Sequence, residues 1–418
     1  MKRVFLFLLS IVVAFSVLNV SVMGADIVKE NDEINLPTSF VSKVADNEAL
    51  EKLPVDIKAK SAVLMDAETG EILLHYNKDL KVFPASVTKI MTVLLVCEAI
   101  NSKKINLSDR VACSSNAASK GGSQIWLEEG EQMSVDELLR ATVIGSANDS
   151  ATLLGEYVSG SEEAFIDLMN ERAKELGMNN TNFVNATGLD DTTDDHITTA
   201  YDVAVMSREL LKYDFIREYT TIWMDSLRNG KTELVNTNKL VRFYEGTTGL
   251  KTGTTAKAGC CVSASAQRDG LHLVAVVMGS ANSNDRFETA KSLLNYGFSN
   301  YTSYTPEYED GNKRKVSVIS GRKDFIDITL PELTPLLVKK GEKENINVSV
   351  ELCDNVEAPV NKNQTLGTVK IILDKKVVAE HRIVAKEEIK ELNLFDSVLK
   401  ILNFLSNGKT TYPFSADA

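Results

Sequence analysis

Three regimes of hydrophobic and polar positions succeed one another along this chain. In the first, the apolar runs Ser61-Ala62-Val63-Leu64-Met65 and Ile72-Leu73-Leu74 are separated by Asp66-Ala67-Glu68-Thr69-Gly70, which predicts two strands joined by a tight loop. Pro84 and Ala85 then suit the first turn of a helix. Ile90, Met91, Leu94, Leu95 and Val96 leave that helix almost no polar face, so it is expected to be buried. Ser134-Val135-Asp136-Glu137 is a capping box opening a helix through Leu138, Leu139 and Val143. Further helices are expected from Glu162 to Leu176, stopped by Gly177, and from Tyr201 to Lys212, capped by Thr199.

After Gly249 the period changes to that of strands: Leu250 to Thr254, Cys260 to Ala266, the turn Arg268-Asp269-Gly270, and Leu271 to Met278. Asn284 and Asp285 then open a helix from Arg286 to Tyr296. Two strands early and three late, with helices between, predict one sheet closed by both ends of a domain into which a helical lobe is inserted. The third regime starts near Tyr301. Short alternating stretches such as Lys315–Ile319, Asn347–Val350 and Gly367–Ile372 predict a small β-rich domain ending near Val384. Helical period returns last, with Leu392, Leu394, Phe395, Val398, Leu399, Ile401, Leu402 and Leu405 on one half of the wheel. The expected segments are thus 1–24, 25–55, 56–300, 301–388 and 389–407.

Composition narrows the function classes. With 418 residues and 44% hydrophobic content the chain can bury a large core. A formal net charge of -12 and a pI near 5.1 would repel phosphate backbones, and no basic run is interleaved with aromatics, so no nucleic acid partner is expected. Met1-Lys2-Arg3, the apolar stretch from Val4 to Val22 and Met23-Gly24-Ala25 read as a signal peptide with a small-residue cleavage site; an uncleaved anchor is the alternative. Either reading exports the protein. Cys97, Cys113, Cys260, Cys261 and Cys353 have no C-x-x-C spacing, and the histidines 75, 196, 272 and 381 are scattered, so neither a metal site, a cofactor nor a serine–histidine pair is expected.

The candidate chemistry begins in the buried helix. Ser86 and Lys89, three apart, share a face and place a nucleophile beside a possible base. Ser146-Ala147-Asn148 follows at a break between helices, and Lys251-Thr252-Gly253-Thr254 in a strand. The ordered set S-x-x-K, S-x-N, K-T-G belongs to penicillin-binding proteins and class A β-lactamases. With Asn185-Ala186-Thr187-Gly188-Leu189, His196 to Asp202, Ala258-Gly259-Cys260, Ala358-Pro359-Val360 and Leu366-Gly367-Thr368-Val369, the chain resembles the D-alanyl-D-alanine carboxypeptidases, the low-molecular-mass penicillin-binding proteins. Two departures stand out. No arginine is present around Asn236-Thr237-Asn238-Lys239, where some relatives carry one for the substrate carboxylate, and Ala147 replaces a usual glycine.

The resemblance implies an α/β (α+β) serine β-lactamase/DD-peptidase-like fold: an antiparallel sheet flanked by helices, then a small all-β domain and an amphipathic C-terminal helix. It also implies a cell-envelope carboxypeptidase acting on D-Ala-D-Ala ends of peptidoglycan stem peptides and acylated by β-lactams. In that scheme Ser86 is the nucleophile and Lys89 its base, while Ser146 relays the proton and Asn148 holds Lys89 and the substrate. Lys251 would be catalytic, its charge helping to keep Lys89 neutral, and Thr252, Gly253, Thr254 and Arg286 would receive the substrate, with backbone N–H groups of Ser86 and Thr254 as the oxyanion hole. Bringing a lysine from about 10.4 to about 7–8 needs roughly 4 kcal/mol of bias against its charge, which burial beside another cation supplies. Two other readings share the motifs: a serine β-lactamase, with Glu175 of Glu175-x-x-x-Asn179 as its carboxylate, and a non-turnover penicillin sensor or scaffold. The tail helix would lie in a membrane surface or pack on the β domain.

Overall fold

The computed structural model describes residues 53–190, 193–308 and 315–407. The expected signal segment, most of the expected lead-in and the residues after 407 lie outside them. A five-stranded antiparallel sheet runs in the order Ile72–Tyr76, Ser61–Asp66, Leu271–Ser280, Gly259–Arg268, Thr247–Thr255. The N-terminal hairpin is therefore sealed by the last strand of the domain, as the two-early, three-late pattern predicts. Strand alternation explains why both faces are apolar. Val274, Val276 and Met278 face the helical lobe, while Leu273, Ala275 and Val277 join Phe287, Ala290, Leu293 and Leu294 of the helix Ser283–Asn300. A sheet covered on both faces has no polar alternation to show, hence the continuous run Leu271–Met278.

The lobe contains Val135–Val143, Asn148–Ser159, Glu162–Glu175 and Ala200–Leu211, with the capping box at Ser134 and the Thr199 cap formed as expected. The C-terminal helix of the domain departs from expectation at its start: Asn282, not Asn284 or Asp285, adopts extended backbone and accepts from Asp285 N. Four consecutive capping residues, Asn282 to Asp285, compete there, and the first to leave the strand wins. Two short ribbons, Arg110–Ala112 with Gln132–Ser134 and Met224–Leu227 with Thr232–Val235, carry too little alternation to be predicted.

Beyond the helix, Tyr301–Tyr304 pairs with Leu336–Lys339, and a six-stranded sheet surrounds a separate apolar cluster that includes Val316, Ile326, Val369 and Ile383. The tail helix spans Leu394–Asn407. Leu394, Phe395, Val398, Leu399, Ile401 and Leu402 of its apolar half are exposed, so that half is not packed on the β domain. Among the described residues no helix is long and apolar enough to cross a membrane.

Candidate active site

Ser86 lies in a single 3-10 turn, Ala85–Thr88, and the α-helix begins only at Lys89. The serine thus precedes the helix instead of occupying its first turn. Ala85, expected to be an ordinary helical residue, has a left-handed φ of 49°. Two backbones pressing on the turn account for this. A Cβ on Gly188, itself at φ 88°, would sit 1.8 Å from Ala85 O, and one on Gly253 would sit 2.8 Å from Ser86 N. Both chains carry glycine where they touch the turn, and Gly253 leaves the Ser86 N–H uncovered.

Lys89 is fully buried. Its Nζ donates to Asn148 Oδ1 at 2.6 Å and to Thr187 O at 2.8 Å, and lies 3.1 Å from Ser86 Oγ. The first two partners can only accept, whereas a hydroxyl can accept or donate. A neutral amine has two N–H bonds and one lone pair, so the two carbonyl oxygens use its protons and turn the lone pair to Ser86. Burial, reinforced by Lys251, pushes the Lys89 pKa well below the usual 10.5 against an opposing pull from Asp149.

The break between helices is built as its sequence suggests. Ser146 is buried at φ 62°, Ala147 caps in extended backbone, and Asn148 starts the next helix. Ala147 has φ -62°, ordinary for any residue, so the absent glycine costs nothing there. Ser146 makes no hydrogen bond to either amine. Asn148 Nδ2 donates to Gly121 O at 2.7 Å, which spends one of its two amide protons inside the protein.

On the far wall, Lys251 is buried, donates to Thr252 O at 3.2 Å, and has its pKa pushed down to about 7 by burial and then by Arg286. Thr252 Oγ1 donates to Thr237 Oγ1 at 2.7 Å, while Thr254 is exposed. Arg286 is not the surface residue that a first-turn position suggests. It is buried, and its guanidinium donates to Gly253 O and Thr254 Oγ1 at 3.0 Å and to Cys261 O at 3.2 Å, clamping two paired strands. In the Thr237 region, where an arginine is missing, Asn236 is buried and donates to Ile222 O at 2.8 Å.

Sequence reasoning missed the strap that holds these parts together. Along 184–190, Ala186 O accepts from Thr92, Thr187 O from Lys89, and Asp190 Oδ2 from Thr255. His196, expected to be merely structural, is the pin: Nδ1 accepts from Val184 N at 3.1 Å, which puts the ring proton on Nε2, 2.8 Å from Thr88 Oγ1. Burial and then the nearby Lys89 lower its pKa to about 4, so the ring is neutral. The Asn185–Leu189 and His196–Asp202 stretches were visible as motifs, but nothing local in them says what they touch.

A family described as D-alanyl-D-alanine carboxypeptidase matches residues 46–282, more than half the chain. The chain belongs to that family. Residues 302–391 match the C-terminal domain of penicillin-binding protein 5. The D-alanyl-D-alanine carboxypeptidase DacF of Bacillus subtilis is 43% identical over 338 residues, 80% of this chain and 86% of that protein. Penicillin-binding protein 5 of Haemophilus influenzae superposes with a TM-score of 0.68 at 29% identity, over 81% of this chain and 99% of that one. Penicillin-binding protein D2 of Listeria monocytogenes, solved in its ampicillin-bound form, matches at 30% identity and TM-score 0.53, over 58% of this chain and 98% of that one. As a member of the carboxypeptidase family this chain is an enzyme with the penicillin-binding-protein fold.

Proposed function

We propose that this carboxypeptidase removes the terminal D-alanine from peptidoglycan stem pentapeptides through an acyl-enzyme on Ser86, and that penicillins acylate the same serine. The observation that carries the reading is the buried Lys89 amine held between two carbonyl acceptors with its remaining position on Ser86 Oγ. Neutral Lys89 takes the Ser86 proton as Oγ attacks the carbonyl between the two D-alanines. The oxyanion is received by the N–H groups of Ser86 and Thr254, a kind of stabilisation whose loss costs about 3–4 kcal/mol. Ser146 passes the proton to the leaving amine, and water then hydrolyses the ester. Lys251 and Thr252 receive the terminal carboxylate, with Arg286 adding its charge from beneath the Gly253–Thr254 backbone. A lactamase reading fares worse: Glu175 is half exposed and ion-paired with Arg172 at 2.9 Å, with no contact to Ser86 or Lys89.

The tail helix supports a membrane role. Its exposed apolar half could contribute on the order of 10 kcal/mol on entering an interface, before ordering costs. The enzyme would then sit at the outer face of the cytoplasmic membrane, with 56–300 as catalytic domain, 301–388 as a β-rich spacer and 389–407 as anchor. The test is to incubate soluble protein with a pentapeptide ending in D-Ala-D-Ala and with nitrocefin. Catalytic D-alanine release with at most one nitrocefin opened per enzyme is expected. Nitrocefin turnover without D-alanine release would make it a lactamase, and single acylation without either turnover a sensor.

A further inference from the structure

Trp126 is displayed in a way that ordinary packing does not require. It is 72% exposed between two buried neighbours, Ile125 and Leu127, and its backbone is left-handed at φ 55°, a genuine outlier for a bulky residue. The strain is held from both sides. The fully buried Asp149 carboxylate accepts from Ile125 N and Leu127 N at 3.1 Å each, and Arg228 donates to Ile125 O at 2.8 Å and Trp126 O at 3.4 Å. Arg228 is itself fixed by a two-bond pair with Glu131 at 2.6 and 2.9 Å. The same segment is tied to the catalytic helix start, since Asn148 N donates to Ser123 O and Asn148 Nδ2 to Gly121 O. Three residues of chain separate Ser123 from Trp126, at most about 11 Å.

Beside the indole lies a cavity of about 570 Å³, walled by Glu128, Arg228, Lys231 and Glu233 besides Trp126. It contains none of the catalytic side chains. One flat aromatic among charged and hydroxyl groups suits a ligand with a C–H face and a rim of hydroxyls and amides. A protein helix or a lipid would want more apolar wall than Ile125 and Trp126 provide. A pyranose has this character, because its axial C–H bonds carry partial positive charge that meets the negative face of an indole.

We infer that Trp126 and this cavity form an accessory subsite for an amino-sugar ring of the glycan that bears the stem peptide. The inference rests on the peptidoglycan reading above. The four residues that precede the scissile bond span about 14 Å when extended, the reach a stem peptide offers between a sugar seated there and Ser86. The test compares a disaccharide-pentapeptide with the same pentapeptide lacking sugar, on wild type, Trp126→Ala and Trp126→Phe. The ratio of the two kcat/KM values is expected to fall about tenfold in Trp126→Ala and to recover largely in Trp126→Phe. An unmoved ratio overturns the subsite. With Trp223, the other tryptophan, changed to phenylalanine, fluorescence of Trp126 should respond saturably to the peptide-free disaccharide, and no response also counts against it. If wild type releases D-alanine from neither peptide, the peptidoglycan reading fails, and the disaccharide titration still decides the subsite.

Discussion

Burial, with the Arg286 charge pushing the same way, holds Lys251 at a pKa of about 7 against an ordinary 10.5. The unfolded chain therefore binds that proton more tightly between pH 7 and 10.5. Stability from this site is fully present above about 10.5 and lost as the pH falls through 7, a change on the order of 4–5 kcal/mol. A substrate carboxylate beside Lys251 would offset the penalty, so the cost belongs to the empty site. Lys251→Met is expected to melt higher than wild type at pH 6.5, with the gap narrowing by pH 10, while D-alanine release collapses. Thermal melts across that range check it, and a variant less stable at every pH would refute it. Ser86, Lys89, Ser146, Asn148 and Lys251 were legible in the sequence because each motif is a short spacing whose chemistry is local. Thr187 and His196 were not, since their partners lie 98 and 108 residues away and one of the groups used is a backbone carbonyl.

Among elements, the strap from Val184 to Asp190 presses directly on the 3-10 turn that carries the nucleophile. Gly188 touches Ala85 O so closely that a methyl group cannot be accommodated without moving one backbone or the other, and its φ of 88° penalises any side chain. Gly188→Ala is accordingly expected to cut penicillin acylation at least tenfold and to lower stability by about 1–3 kcal/mol. Acylation kinetics with urea melts measure both, and a native acylation rate would show that the strap does not position Ser86. Element types were readable where an apolar run is bounded by turn or cap residues, as in the Ser61–Tyr76 hairpin and the capped helix at Ser134. The start of the Ser86 helix was not, because the deciding contacts are those of Gly188 and Gly253 with its backbone, and no periodicity records them.

At the scale of the whole molecule, the five-stranded sheet that carries Lys251 is closed by its own first and last strands, and the residues of the candidate site all precede the β-rich segment and the tail helix. Deleting everything after Lys390 is expected to release active enzyme into the soluble fraction, whereas high salt should leave the full-length form on membranes, since apolar contact is not screened. Retention of the truncated form would assign the anchor to the N-terminal segment. The exposed apolar half of the tail was legible from its wheel, but the Arg322–Asp396 pair at 2.8 Å that ties it to the β domain joins residues with no pattern in common. The proposed chemistry rests on the Ser86–Lys89 pair, and the most direct measurement is the intact mass of the protein, followed over time with benzylpenicillin, for wild type and Lys89→Arg. Arginine keeps the charge but cannot give up its proton at any working pH. One penicillin should add to wild type on the peptide containing Ser86, with the variant slowed by about 10²–10⁴; an adduct on another residue, or a variant that acylates at the wild-type rate, would contradict it.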